Sequence, residues 1–328
     1  MAYCKIYLFT YKRNRLLTRA VKSLIGQTFS DWVCEVHNDD PEDLFPMKYI
    51  NSLQDGRFSV NNHIVNLGPT PSFNLAFASG EQKYTSILED DNWWEPAFLE
   101  EMVKVMDANN SISISWSNMR IWQESPSGLW EDTHSTVWPI QGENILFSWP
   151  HPVHAMGALH SNGAMLFRAP KSEKYAIPDN CDFNIMESVR ERTFTFPIYL
   201  VKQPLANFAN TLETSRNQSN IIWTASQTML LASIVLSNSN PQREFSALLN
   251  HYKLQKPSPL IVFFLANFLF IKKSALYTVF KLKDWYYISK WLVKNCHKFN
   301  SLKKQIISQN NIFEFLIEKT RERNLEAP

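Results

Sequence analysis

The chain has 328 residues, 45% of them hydrophobic and 20% charged, which is enough apolar content to bury a sizeable core and excludes a disordered or low-complexity protein. The four cysteines, Cys4, Cys34, Cys181 and Cys296, are scattered without C-x-x-C spacing, so neither a zinc site nor a disulfide framework is expected. A net charge of +2 conceals an asymmetry: His251 to Asn310 holds eleven Lys and a single acid, Asp284.

Met1 leads directly into the strand-like run Ile6 to Thr10 without the pattern of a secretory signal, and a cytoplasmic protein is expected. Asn14 is placed to cap a helix whose apolar stripe is Leu16, Leu17, Ala20, Val21, Leu24 and Ile25, closed by Gly26. Trp32 to His37 reads as a second strand that stops at Asn38-Asp39-Asp40-Pro41. A helix from about Glu42 to Leu53 and a short strand, Phe58 to Val60, follow. Asn66-Leu67-Gly68-Pro69 then turns into a helix through Phe73, Leu75, Ala76 and Phe77. Tyr84 to Leu88 reads as a buried strand, and it ends in Glu89, Asp90 and Asp91. If the extended backbone continues, Glu89 and Asp91 point to one side and Asp90 to the other.

Three adjacent carboxylates repel one another, so a positive partner is expected there. One reading is a divalent metal held by one or two carboxylates together with substrate phosphates. The other is a solvated acidic turn ahead of the helix that starts near Pro96. Strands alternating with helices predict an α/β fold with a mainly parallel sheet, and such sheets bind ligands beyond the carboxyl ends of their strands. Thr10-Tyr11, Asn38-Asp39 and Glu89-Asp90-Asp91 are therefore expected to share one crevice, which favours the functional reading.

The first hundred residues resemble the family 2 glycosyltransferases, nucleotide-sugar enzymes of the GT-A fold. The resemblance is carried by Phe9-Thr10-Tyr11-Lys12-Arg13, Leu24-Ile25-Gly26-Gln27-Thr28-Phe29, Val36-His37-Asn38-Asp39-Asp40-Pro41, Asn66-Leu67-Gly68-Pro69 and Ile87-Leu88-Glu89-Asp90-Asp91-Asn92, in matching order and spacing. It implies that Thr10 and Asp39 hold the nucleotide, that Asp91 is the metal ligand for Mn2+ or Mg2+, and that Asp90 faces sugar or ribose hydroxyls. Tyr11, Arg13, Asn66 and Glu89 complete the expected nucleotide-sugar-binding set. Two departures stand out: Phe73 lies where many members carry Arg, and Glu89 takes the place of an Asp.

Ser111 to Trp116 and Met119 to Trp122 alternate as a strand, and Ser125-Pro126-Ser127-Gly128 turns it back as a hairpin. Three His, at 151, 154 and 160, fall in a Pro-containing stretch without metal-ligand spacing, so a loop is expected instead of a metal site. Asn162 to Arg168 resembles the family's strand beneath the acceptor, and the next element in the family carries the catalytic base. Asp182 matches that position, with Phe183, Ile185 and Met186 as buried helix positions; Asp179 is the alternative. For Asp182 a purely structural role at a helix N-terminus is equally open. Phe196 to Leu200 and Pro204-Leu205 read as short β segments, and Arg216 is placed in a loop over the diphosphate. Helices are expected at Ile221 to Leu236 and Arg243 to His251.

Pro257 and Pro259 mark a boundary. Leu260 to Ile271 is intensely apolar but shorter than the ~20 residues that span a bilayer. Aromatics and lysines interleave beyond it, a composition that fits an anionic membrane surface over 258–304; a helical subdomain packed on the core is the alternative, and no nucleic-acid motif accompanies it. The expected organisation is a GT-A-like domain over 1–236, its halves 1–107 for the nucleotide sugar and 108–236 for the acceptor, followed by a helical basic region over 237–328. By resemblance the activity is inverting transfer from a nucleotide sugar, UDP-linked, to a glycan or lipid-linked hydroxyl, in the cytoplasm or on the inner face of the membrane. A metal-dependent nucleotidyltransferase and a non-catalytic interaction protein on the same fold are the rivals.

Overall fold

The computed structural model describes residues 2–78, 80–169, 175–212, 220–255 and 259–326. Among these, 2–148, 160–179 and 194–212 form one compact unit, and 149–159, 180–193 and 220–326 form a second.

The first unit begins with β1 (Cys4–Thr10), α1 (Asn14–Ile25), β2 (Trp32–Asn38), α2 (Phe45–Leu53), β3 (Phe58–Asn62), α3 (Pro69–Leu75), β4 (Tyr84–Glu89), β5 (Trp93–Trp94) and α4 (Phe98–Ala108). It continues through β6 (Ile114–Glu124), β7 (Trp130–Thr136), β8 (Ile145–Phe147), β9 (Met165–Arg168) and β10 (Ile198–Asn210). All ten strands belong to one sheet whose main path runs β3-β2-β1-β4-β9-β6-β10-β5, with β7 on β6 and β8 on β10. The β3-β2-β1-β4 half is parallel. A strand paired on both sides and covered on both faces needs apolar residues throughout, and in β1 Cys4, Ile6 and Leu8 are fully buried. The stripe of α1 packs on this half: Leu17, Ala20, Val21 and Leu24 join Ile6, Leu8, Val36 and Leu88 in one core.

Register fixes what meets at the sheet's C-terminal edge. Thr10 lies opposite Asn38, Asn38 opposite Asn62, and Phe9 opposite Glu89. Backbone bonds carry the ladder one step further, from Asp39 N to Thr10 O (3.0 Å) and from Asp90 N to Phe9 O (3.2 Å). The three polar strand ends are thus side by side, as the alternation of strands and helices predicts.

Several boundaries differ from the sequence reading. Asn14 is the first residue of α1, the cap position is Arg13, and no side-chain cap bond forms. The helix after Gly68 ends at Leu75, leaving Phe77 to stack on Phe167 at 4.8 Å. The two expected short β segments are one 13-residue strand, β10, whose register shifts against β6 around Pro204.

The second unit is helical: short turns at Pro152–Ala155 and Phe183–Ile185, then α5 (Met186–Arg190), α6 (Asn220–Leu236), α7 (Pro241–Lys253), α8 (Leu260–Ala266), α9 (Leu282–Asn295), α10 (Phe299–Ser308) and α11 (Asn310–Glu326). α6 is its centre and packs against α7, α8, α10 and α11. Its Met229, Leu230, Leu231, Ala232 and Val235 are buried, as expected of a helix apolar around its circumference. The apolar run 260–271 supplies core here. Phe263 is fully buried against Phe245 and Tyr252, Phe264 is buried, and Phe270 meets Phe313 with tilted rings 4.2 Å apart. Among the described residues no helix is long and apolar enough to cross a membrane.

Truncating Phe263 to Ala should therefore cost ~3–5 kcal/mol by opening a cavity, whereas Phe268→Ser, at a side chain 47% exposed, should be close to neutral. Thermal unfolding of the two variants checks this, and equal effects would place the run outside a packed core.

Candidate functional site

The acidic strand end departs from simple alternation. β4 stops at Glu89, and Asp90 and Asp91 lie in the turn that follows, so one cation reaches both. Arg13, at the start of α1, places its two terminal nitrogens 2.7 Å from Asp90 Oδ1 and 2.6 Å from Asp91 Oδ2. The Asp91 contact is an aligned hydrogen bond; the Asp90 contact is a close charge pair without that alignment. Asp90 is fully buried and also accepts a long bond from Tyr11 N (3.4 Å). Burial raises its carboxyl well above the usual range, the Arg13 charge opposes this, and the Asp91 charge adds to it.

Glu89 and Asn92 close the turn from the other side. Asn92 Nδ2 donates to Glu89 Oε2 (2.7 Å), and Asn92 Oδ1 accepts from Ala209 N of β10 (3.2 Å). Gly163 is needed here for close approach, because a Cβ would stand 2.8 Å from Glu89 Oε2 and 2.9 Å from Asn92 Nδ2. Further along α1, Arg19 donates to the Asp91 carbonyl (2.7 Å) and stands 3.8 Å and 3.9 Å from the rings of Trp93 and Trp130. Burial lowers its pKa to about 10. Arg15, on the same helix, pairs with the buried Glu124 at the end of β6. A metal at this edge would rest on Asp91, whose side chain keeps access that Asp90 lacks. Among the described residues no three His, Cys, Asp or Glu gather as a metal cage.

Asp39 is anchored by the loop it faces. Its Oδ1 accepts from Leu67 N and pairs with His63 Nδ1, both at 2.8 Å, and its Oδ2 accepts from Gly68 N at 2.9 Å. Gly68 has φ +80° and ψ 170°, a region reserved for glycine, and Pro69 opens α3 directly after it. Behind Asp39 runs a line of side chains: His63 Nε2 lies 3.0 Å from His37 Nδ1, and His37 Nε2 lies 3.2 Å from Glu35 Oε1. Each of the two inner contacts, His37 to His63 and His63 to Asp39, is closed by one ring proton, and the tautomers decide which nitrogen carries it. The His37 to Glu35 contact is short but less well aligned than the two inner ones. Glu35 also pairs with Lys5 at 2.6 Å. Its carboxyl is held down at about 2, by His37 first and then by Lys5, against the opposing effect of burial. Phe73 stacks on Phe9 at 4.8 Å, and Phe9 in turn lies against His37, so Phe73 is an apolar cover for this line.

The remaining expected residues divide between the two units. Thr10 is buried, while Tyr11 and Asn66 are exposed at the same edge of the first unit. Asp179 also belongs to that unit, where Asn74 Nδ2 donates to its Oδ1 and to Ile177 O, each at 2.8 Å. Asp182 belongs to the second unit and caps the Phe183–Ile185 turn by accepting from Asn184 N at 2.9 Å. Ile185 and Met186 are buried as expected, but Phe183 is 48% exposed. Arg216 lies outside the described residues. Sequence reasoning missed Glu35, His37, His63, Arg19 and Glu124. Glu35 and His37 in β2 and Asp39 just past its end recur at every second residue, a signal that was available; nothing local marks His63.

Two outcomes follow. Arg13→Met leaves the buried Asp90 without its cation and should destabilise the protein by about 3 kcal/mol, and adding Asp90→Asn should recover most of that loss in a thermal-unfolding cycle. Second, a depressed folded-state pKa stabilises above the unfolded value and loses that contribution as pH falls through the folded one. Glu35 should therefore support stability above pH ~4.3 and stop doing so toward pH 2. Glu35→Gln should flatten the acid limb of the stability profile over this window.

The sequence model of glycosyl transferase family 2 matches residues 6–164, the stretch that contains every acid of this edge. An uncharacterized glycosyltransferase of Haemophilus influenzae is 22% identical over 193 residues, 56% of this chain and 57% of that protein. A putative colanic acid biosynthesis glycosyl transferase, WcaA, of Escherichia coli is 28% identical over 92 residues, 28% of this chain and 33% of that protein. The chain thus spans about 57% and 33% of the lengths of these curated relatives. Among solved structures, residues 1–349 of S. aureus TarS superpose with TM-score 0.60 in the UDP-GlcNAc complex, at 11% identity over 97% of this chain and 91% of that one. The structure without that ligand gives 0.56 over 98% and 90%. This likeness shows the fold, an α/β GT-A architecture with a mostly parallel sheet and C-terminal helices. Residues 6–164, just under half of the chain, match glycosyl transferase family 2.

Proposed function

We propose that the protein is an inverting glycosyltransferase that moves a sugar from a nucleoside-diphosphate sugar, UDP-linked, to a hydroxyl of a glycan or lipid-linked acceptor in cell-surface polysaccharide synthesis. The observation that carries this reading is the alignment of Thr10, Asp39 and the Glu89-Asp90-Asp91 turn along one sheet edge, inside the family-matched stretch. Support for the donor and the pathway comes from the UDP-GlcNAc held by TarS and the colanic acid role named for the E. coli relative.

In this reading Thr10, Tyr11, Asp39 and Asn66 bind the nucleotide, and Glu89, Asp90 and Arg13 line the sugar and diphosphate end. A divalent cation, Mn2+ or Mg2+, held by Asp91 and the donor's diphosphate would neutralise charge on the departing nucleotide. Arg13 orients Asp91, because it already pairs with that carboxylate. The base that takes the acceptor proton is Asp182, with Asp179 as the second reading. What favours Asp179 is its fixed geometry, since Asn74 of α3 orients its carboxylate within the same unit as Asp91. Inversion needs a single displacement with the base on the acceptor side, through an oxocarbenium-like transition state.

Nucleoside-diphosphate release from a panel of nucleotide sugars with Mn2+ tests the proposal against both a nucleotidyltransferase, which would release pyrophosphate, and a non-catalytic fold. Asp91→Asn should abolish release and leave the unfolding temperature close to that of the native chain; undiminished turnover in chelator would remove the metal role. Asp182→Asn should lower turnover by ~10²-fold or more while donor binding persists. The same phenotype from Asp179→Asn alone would reassign the base.

A further inference from the structure

The apolar run expected to meet lipid is packed inside the second unit, yet one helix of that unit leaves an apolar face uncovered. In α9 only Ile288 is buried, while Leu282 is 90%, Tyr286 64%, Val293 79% and Tyr287 50% exposed. At about 100° per residue, Leu282, Tyr286, Ser289 and Val293 fall within about 60° of one another, and Lys290, Lys283 and Lys294 form the adjoining row, with Tyr287 beyond it. All three lysines are exposed. The single acid of the helix, Asp284, is turned away from this face: it accepts from Lys281 N at 2.8 Å and pairs with Lys253 of α7. Lys272, Lys273, Lys303 and Lys304, on the segments before and after α9 in the chain, are also exposed.

We infer that the face of α9 formed by Leu282, Tyr286 and Val293 with Lys283, Lys290 and Lys294 docks the protein on an anionic lipid surface. The arrangement matches what such a surface rewards. A narrow apolar stripe enters the headgroup and acyl boundary, a tyrosine occupies the polar interface, and the row of ammonium groups meets the lipid phosphates. Soluble partner helices would favour a wider apolar seam and carboxylates paired with the lysines. The inference stands apart from the transferase reading, because binding is read without donor or acceptor.

The test is flotation of the full chain with vesicles of phosphatidylcholine alone or with phosphatidylglycerol added. The native protein should float with the anionic vesicles and far less with the neutral ones. Binding should weaken as salt rises from about 0.15 M toward 1 M and the screening length falls from about 8 Å to about 3 Å. Each lysine contributes about fivefold, so Lys283→Gln/Lys290→Gln/Lys294→Gln should weaken binding roughly a hundredfold. Leu282→Ser/Tyr286→Ser/Val293→Ser should abolish the binding that survives high salt. All six positions are exposed, and unchanged circular dichroism and unfolding temperature would show that the variants remain folded. Native protein that never floats, or a lysine variant that floats like the native chain, would overturn the inference. So would a concentration-dependent dimer that Tyr286→Ser dissolves, since the face would then belong to a second copy of the chain.

Discussion

Asp90 is a carboxylate with no access to solvent, placed at the C-terminal end of the strand pair at the centre of the sheet. Removing such a charge from water costs several kcal/mol unless a cation and hydrogen bonds compensate. The surrounding chain is arranged around that requirement. β1 must end where its next residues can turn over β4, so that Tyr11 N reaches Asp90 and α1 begins with Arg13 between the two acids. α1 is held in turn by its own apolar stripe and by Arg19, whose bond to the Asp91 carbonyl fixes the turn from behind. The two acids are therefore held close together by a helix that the core positions, and Arg13 opposes the cost of burying Asp90.

Asp39 shows the opposite arrangement. Instead of one cation it has three donors, two of them backbone amides of the loop that leads into α3. A carboxylate bonded in this way sets the shape of the Leu67-Gly68 turn, and through α3 that shape extends to Asn74 and the segment it holds at Ile177 and Asp179. Strand β2, the loop before α3 and the 177–179 segment are thus linked by side-chain bonds as well as by packing. The replacement of the family's common Arg by Phe73 belongs to the same economy of space: an apolar ring over Phe9 keeps water from the imidazoles behind Asp39, where a guanidinium would have introduced a further charge.

Much of the first unit was legible because local signals and tertiary packing agree there. The order of β1 to β4 with their helices, the gathering of polar strand ends, and the hairpin of β6 and β7 follow from periodicity and turn residues, and register only had to align them. The pairing of Arg13 with both acids was not legible, since alternation along an extended strand predicts opposite directions for Asp90 and Asp91. The strand ends at Glu89, two residues short of Asp91, and a turn does not obey the period of two. His63 was hidden for a different reason: its contact with Asp39 joins residues 24 apart, and only the parallel register of β2 and β3 brings them together. Asp182 illustrates a third limit. An acid that caps a turn and an acid that removes a proton have the same sequence signature, and the capping bond to Asn184 leaves the second role a matter for kinetics.

The C-terminal region separates two meanings of hydrophobicity. Leu260 to Ile271 has the composition of a membrane segment, but a run apolar on every side is also what the middle of a helical cluster requires, and α6, α7 and α11 surround it with matching side chains. Its composition alone could not choose between lipid and core. α9 is far less apolar on average, and for that reason its exposed Leu282, Tyr286 and Val293 carry more information, because folding has left them uncovered although the helix already buries Ile288. A stripe of this width is too narrow to build a stable protein interface by burial alone, and an unscreened row of lysines beside it would oppose close approach of another basic surface. Both features become favourable against a single kind of neighbour, one that is deformable, apolar beneath its surface and negatively charged on it.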